Sequence, residues 1–154
     1  MRPQRRGGAI AMPDARRDEV LRTQRTCRVA TASAAGQPHA TAMWFVWDGQ
    51  SIWLNSLSRT QRWTDIARDP RVSVLVDGGE DFLELYGIEI VGRATSVGEV
   101  PRTGEPVDDL RAPERLFGDK YANGEFRYDG RHAWLRVVPE KIVSWDFSNM
   151  APAT

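Results

Sequence analysis

Residues 53–76, WLNSLSRTQRWTDIARDPRVSVLV, decide the reading of the fold. The stretch opens as a strand, passes a hydroxyl- and arginine-rich turn, continues as a short helix and closes as a second strand. Residues 60–68 predict the helix, closed by Asp69-Pro70 because the residue before a proline resists the α conformation. Residues 71–77 predict the strand, with Val72, Val74 and Val76 on one face. At the helix mouth stand Ser56, Ser58, Arg59, Thr60, Gln61 and Arg62. Hydroxyls, guanidinium groups and unpaired N-terminal amides are the donors that a phosphate needs. The turn is therefore a candidate site for a phosphorylated ligand. Taken alone, it also reads as a capped helix start on a structural barrel.

Upstream, residues 27–33 and 39–47 read as strands around the turn Ala35-Gly36-Gln37-Pro38, and Asp48-Gly49 signals a hairpin into residues 51–55. Sequential strands pair as neighbours, which predicts an antiparallel meander. Residues 13–25 read as a surface helix started by Pro13 and Asp14. Downstream comes a long strand over residues 82–97, with Gly87 and Gly92 as bend or bulge points. A helix over 107–121, a polar loop over 122–129 and two strands, 132–138 and 142–147, complete the chain, with Pro139-Glu140 joining the last two. Roughly seven strands, three short helices and no βαβ alternation give a mainly β fold. The economical form is a closed or partly closed antiparallel barrel with peripheral helices.

At 154 residues, with 41% hydrophobic and 27% charged residues, the chain amounts to one soluble domain. Its 21 basic and 21 acidic residues cancel, which gives no general attraction to nucleic acid or membrane. No apolar run approaches the ~20 residues of a membrane helix. The lone Cys27 excludes an internal disulfide and makes a reducing cytoplasm the expectation. Residues 1–12 are polar and broken by Gly and Pro, so a disordered tail is expected, with Met12 an alternative start, followed by one domain over 13–150. His39 and His132 with one cysteine make no common zinc site, and each reads as a structural hydrogen-bonder. No HExxH, GxSxG, Walker or GxGxxG motif occurs. With no catalytic residue or metal site legible, any enzymatic chemistry has to come from a cofactor. Trp44, Trp53, Trp63 and Trp145 are candidates to line a pocket or an interface, against core packing for each singly.

Four blocks in order resemble the pyridoxamine 5′-phosphate oxidase-like superfamily of split β-barrels, which bind flavin mononucleotide (FMN) or the deazaflavin coenzyme F-420. They are RVATASAAGQPHATAMWFVWDGQSIWLNS, SRTQRWTDIARDPRVSVLV, GIEIVGRATSV and WLRVVPEKIVSWDF, spanning residues 27–149. The resemblance implies a split antiparallel barrel with peripheral helices. It places Thr60, Gln61 and Arg62 on the phosphate-binding turn, with Arg62 where lysine is usual, and Ser56 at a hydroxyl position facing the phosphate. Met43, Trp44 and Phe45 match the strand bordering the ring, although proline is common at the position of Met43. Asn149 stands where lysine is frequent.

Family barrels pair as homodimers with the cofactor at the interface, so Trp145 is expected to reach a partner's site. Arg59, Arg62 and Arg68 would meet the acidic tail of coenzyme F-420. The closing hairpin and the arginine-rich, actinobacterial-type composition favour that cofactor as well. The expectation is an oxidoreductase delivering a hydride from reduced coenzyme F-420 to an unsaturated small-molecule substrate. An FMN oxidoreductase and a non-catalytic flavin or deazaflavin carrier or sensor are the alternatives.

Overall fold

Residues 1–5 and 7–152 are described by the computed structural model. Their strands are β1 (Cys27–Ala32), β2 (Pro38–Met43), β3 (Phe45–Trp47), β4 (Ile52–Leu57), β5 (Arg71–Gly78), β6 (Tyr86–Val97) and β7 (His132–Asp146). The helices are α1 (Asp14–Thr23), α2 (Gln61–Arg68) and α3 (Asp108–Tyr121). Every strand pairing is antiparallel, and the strands run β2-β1-β5-β6-β7-β4-β3 across one sheet. The two edge strands are consecutive in the chain, separated only by Trp44. The sheet therefore curls until its edges approach each other, which makes it a split antiparallel barrel.

The expected second strand, residues 39–47, is thus two strands. Its first half pairs with β1 and its second with β4, so the meander holds while the strand breaks at Trp44. The expected closing pair is one long strand instead. Gly92 pairs with Pro139 and Val91 with Lys141, which leaves Glu140 as the extra residue of a bulge. Proline lacks an N–H and fits this interruption. A Cβ on Gly92 would lie 2.3 Å from the Val138 carbonyl oxygen, so the close approach requires glycine. The expected strand start at residues 82–84 is a 3₁₀ turn.

Directly opposed residues share a face, and the ladders align Val29 with Val74, Val74 with Ile90, Ile90 with Ile142 and Leu54 with Leu135. These fill the barrel interior. A second cluster, Val46, Trp53, Leu110 and Trp134, lies under α3 on the other face of β4 and β7. Trp53 is core, its indole N–H donating to Asp48 at 2.7 Å, and Trp63 packs against the main core; neither lines the main cavity.

The N-terminal residues depart from the expected disordered tail. Met12 is buried and its N–H donates to the Ser144 hydroxyl. The Gln4 side chain exchanges hydrogen bonds with the Ser144 backbone, and Arg2 bridges to Lys141. These residues cover the exposed edge of the β7 bulge, a role that their polar composition conceals. No helix among the described residues is long and apolar enough to cross a membrane.

Candidate functional site

A cavity of about 500 Å³ opens between the outer face of β4 and β7, the Trp44 break, α2 and the end of α3. Arg62 on α2 projects into it. The residue is only 8% exposed, yet no described carboxylate lies within ion-pair distance of its guanidinium. Its partners are hydroxyls: Nε and Nη2 donate to Ser56 Oγ at 3.2 and 3.0 Å, and Nη1 donates to Thr41 Oγ1 at 2.5 Å. Burial pulls its pKa below the ordinary arginine value. A desolvated cation held only by neutral groups is stabilised by an incoming anion. Beside it, the Nδ2 of Asn55 is buried without a hydrogen-bond partner among the described residues.

The other residues of the turn have different tasks. Thr60 caps α2, accepting from the Trp63 N–H at 3.2 Å. Gln61 donates to the buried Asp65 at 2.8 Å, and Thr31 of β1 donates to the same carboxylate, which fastens α2 to the barrel. Ser58 donates to the Arg131 carbonyl. Arg59 is exposed and has no described ion-pair partner. Arg68 donates to the Ala32 carbonyl and lies 4.0 Å from Asp65. Of the sequence-predicted residues, Met43, Trp44 and Arg62 line the cavity, with Ser56 behind Arg62. Ser58, Arg59, Thr60 and Gln61 do not line it.

Phe45 is fully buried in the barrel core. Trp145 lies across the barrel over Gly87, in a groove with Ala30, Ala40 and Leu75.

Sequence reasoning missed the opposite wall. Trp44 stacks on Tyr121 at 4.4 Å between centroids and 9° between planes, and Phe117 and Phe126 continue the aromatic surface. The i, i+4 spacing of Phe117 and Tyr121 on α3 was the available signal. Tyr121 and Lys120 replace the ladder that breaks at Trp44. The Tyr121 hydroxyl accepts from the Phe45 N–H at 3.2 Å, and Lys120 donates to the Phe45 carbonyl at 3.2 Å. Burial lowers the Lys120 ammonium to about 8 and raises the Tyr121 phenol to about 12. Burial likewise raises the Cys27 thiol to about 12, which removes it from thiolate chemistry.

Arg102 fixes this wall by donating to Glu99 and, at 2.6 Å, to Glu114 of α3. Glu114 also accepts from Trp134 and Tyr128, so helix, sheet and loop meet on one carboxylate. The loop contributes Glu125, Arg127 and Asp129 to the rim, and β7 contributes His132. An orphaned amide donor, a buried unpaired cation and an aromatic wall around 500 Å³ fit a planar ligand with an anionic end.

A sequence model described as pyridoxamine 5′-phosphate oxidase matches residues 13–146. A conserved hypothetical protein, Rv2991, from Mycobacterium tuberculosis is 27% identical with a TM-score of 0.81, over 98% of this chain and 96% of its own. An FAD-binding protein from Mesorhizobium loti superimposes at TM-score 0.66 with 17% identity, over 87% and 93% of the two chains. An F420 reductase superimposes at 0.59 with 20% identity, over 81% and 94%. No curated protein matches the chain.

Proposed function

The chain belongs to the pyridoxamine 5′-phosphate oxidase family of flavin-binding oxidoreductases, and from that premise we propose that it uses reduced coenzyme F-420 to reduce an unsaturated organic substrate. The observation that carries this reading is the buried Arg62 guanidinium, unpaired with any described carboxylate, on the wall of a 500 Å³ cavity. Arg62 would hold the anionic end, with Ser56 and Thr41 fixing its fork and Asn55 adding a neutral donor. Trp44, Phe117 and Phe126 give the remaining wall its apolar character and exclude water from the reacting faces. A reduced deazaflavin supplies a hydride, so the protein needs no nucleophile of its own.

Preference for coenzyme F-420 rests on Arg59. It follows Leu57 of the cavity wall by two residues and keeps its charge exposed, available to further carboxylates on an acidic tail. Arg68, held by Ala32 and Asp65, adds nothing to that argument. The second reading, an FMN oxidoreductase, is favoured by the single buried cation in the cavity, which matches one terminal phosphate. Titration of the purified protein with coenzyme F-420 and with FMN, followed by ring fluorescence, separates the two. Tight binding of coenzyme F-420 and turnover of its reduced form with an acceptor panel are expected. Binding of neither ligand refutes the cofactor reading, and tight binding without turnover identifies a carrier or sensor. The working form in this proposal is a homodimer.

A further inference from the structure

Lining the same cavity as Arg62 is a histidine that the reading above leaves unused. His132 opens β7, and its Nδ1 lies 2.5 Å from Asp129 Oδ2. Asp129 is itself fixed, because its Oδ1 accepts the backbone N–H groups of Arg131 and His132 at 2.9 and 3.0 Å. Both side chains line the cavity that Arg62 lines. The His132 Nε2 has no hydrogen-bond partner among the described residues. An imidazole with one nitrogen held by a carboxylate and the other available is the arrangement that orients a proton donor. A turn-capping aspartate explains the two backbone bonds, but not the ring bond or its place on the cavity wall.

We propose that His132, oriented by Asp129, is the proton donor of this site, completing the reduction that the hydride begins. The proposal rests on the oxidoreductase reading above. In the imidazolium form, with Nδ1–H held by Asp129, the Nε2–H bond breaks and its electron pair stays on the ring, leaving the neutral Nδ1–H tautomer. The proton goes to the end of the acceptor's π bond that does not take the hydride. The broken π pair forms the new bond to that hydrogen, and a hydride from a bound reduced deazaflavin or flavin would supply the pair for the other. Water at the open mouth of the cavity then restores the proton to Nε2.

Burial alone would raise the Asp129 carboxyl, but the two amides and the His132 ring outweigh it and hold it at about 2. The carboxylate is therefore ionised at neutral pH and can only accept, so Nδ1 carries its proton and Nε2 is the nitrogen that exchanges. The charges around the ring come from every neighbouring element. Asp129 and Arg131, 3.9 Å from each other, precede it in sequence, and Glu125 and Arg127 pair at 2.9 Å on the loop. Arg62 on α2 lines the same cavity, β4 opposes the ring with the uncharged Leu57, and Arg102 offers its backbone N–H while its side chain turns to Glu99 and Glu114.

The test uses the full chain with Asp129→Asn and His132→Gln variants, the latter keeping a donor to Asp129. Ring ¹⁵N shifts in the cofactor-free protein should show the Nδ1–H tautomer, and Asp129→Asn should raise the Nε2–H fraction. With reduced coenzyme F-420 and cyclohex-2-enone, His132→Gln should keep cofactor affinity within about twofold. Its kcat should fall roughly 100-fold, with loss of the basic limb of the pH profile. An unaltered His132 tautomer in Asp129→Asn, or an unaltered rate and pH profile in His132→Gln, overturns the dyad while the oxidoreductase reading stands. A wild-type protein that binds neither coenzyme F-420 nor FMN overturns both.

Discussion

Arg62 concentrates the argument in one residue. A buried guanidinium without a carboxylate is half of an ion pair whose other half arrives with the ligand. Replacing it separates binding from folding, because no described anion is left unpaired when the charge goes. Arg62→Met keeps the aliphatic stem over Ser56 and should melt within a few degrees of wild type. Its affinity for the bound cofactor should fall about 10- to 100-fold, the equivalent of one charge-assisted hydrogen-bonding group at roughly 1.5–3 kcal/mol. Fluorescence titration beside a thermal melt decides the matter, and unchanged affinity removes the phosphate assignment. Arg62 was legible in the sequence because it sits at a helix mouth beside Ser56. Its neighbours Thr60 and Gln61 look equally suited on paper but are spent on the helix, one capping Trp63 and the other binding Asp65. His132 and Asp129 were not legible as site residues, since only the register of β7 against β4 sets His132 opposite Leu57 on the cavity wall.

Among the elements, α3 does what sequence periodicity does not announce. Its last turn reaches the broken strand and holds both backbone groups of Phe45 through Tyr121 and Lys120. The break itself escapes a propensity reading, because 39–47 is uniformly strand-forming and only barrel closure divides it at Trp44. The β7 bulge escapes similarly: Pro139-Glu140 reads as a turn until the β6 register shows pairing on both sides.

The Lys120 contact has a signature in pH. Its folded value of about 8 lies below the ordinary 10.5, so the unfolded chain binds more protons between those values, and stability rises with pH across that window. Below pH 8 the full penalty of a buried ammonium applies. Lys120→Met abolishes this dependence, so the stability of the variant relative to wild type should be greatest near pH 7. The difference should shrink by about 1 kcal/mol towards pH 10, a figure discounted for the partial exposure of the ammonium. Comparing the two proteins at each pH cancels the opposing titrations of Tyr121 and Cys27, whose folded values lie above their ordinary ones. Urea unfolding at pH 7, 8.5 and 10 measures it, and a constant difference refutes the buried-lysine account. The other anchor of α3 is Arg102, and Arg102→Ala leaves Glu99 and Glu114 without their cation. A loss of about 3–5 kcal/mol in denaturant unfolding is expected, and a loss below 1 kcal/mol shows that the helix is held otherwise.

At the scale of the whole molecule, the surface is larger than a self-sufficient monomer requires. The chain exposes 9154 Å², whereas its 17.4 kDa predicts about 7,900 Å² for a compact monomer. Part of the exposed surface is a sheet face suited to close approach. Ala40 and Ala42 of β2 are exposed, and Ala30, Ala40, Leu75 and Trp145, with Arg28, Ser73 and Glu89, line one shallow groove over β1, β2, β5, β6 and β7. Small side chains on the outer sheet face let a second backbone come near, and an indole beside them supplies buried area. We propose this face as the interface if the chain pairs with a second copy, which would account for Trp145 lying away from the cavity of its own chain. Sedimentation equilibrium should then give twice the chain mass. Ala40→Arg, on an exposed position that folding does not need, should give the monomer with an unchanged core melting cooperatively. If the partner completes the cofactor site, that monomer also loses cofactor affinity at least tenfold, and added wild-type chain does not restore it. A wild-type monomer with full affinity refutes the shared site. A dimer that survives Ala40→Arg moves the interface to another face, with the Arg62 cavity then sufficient within one chain.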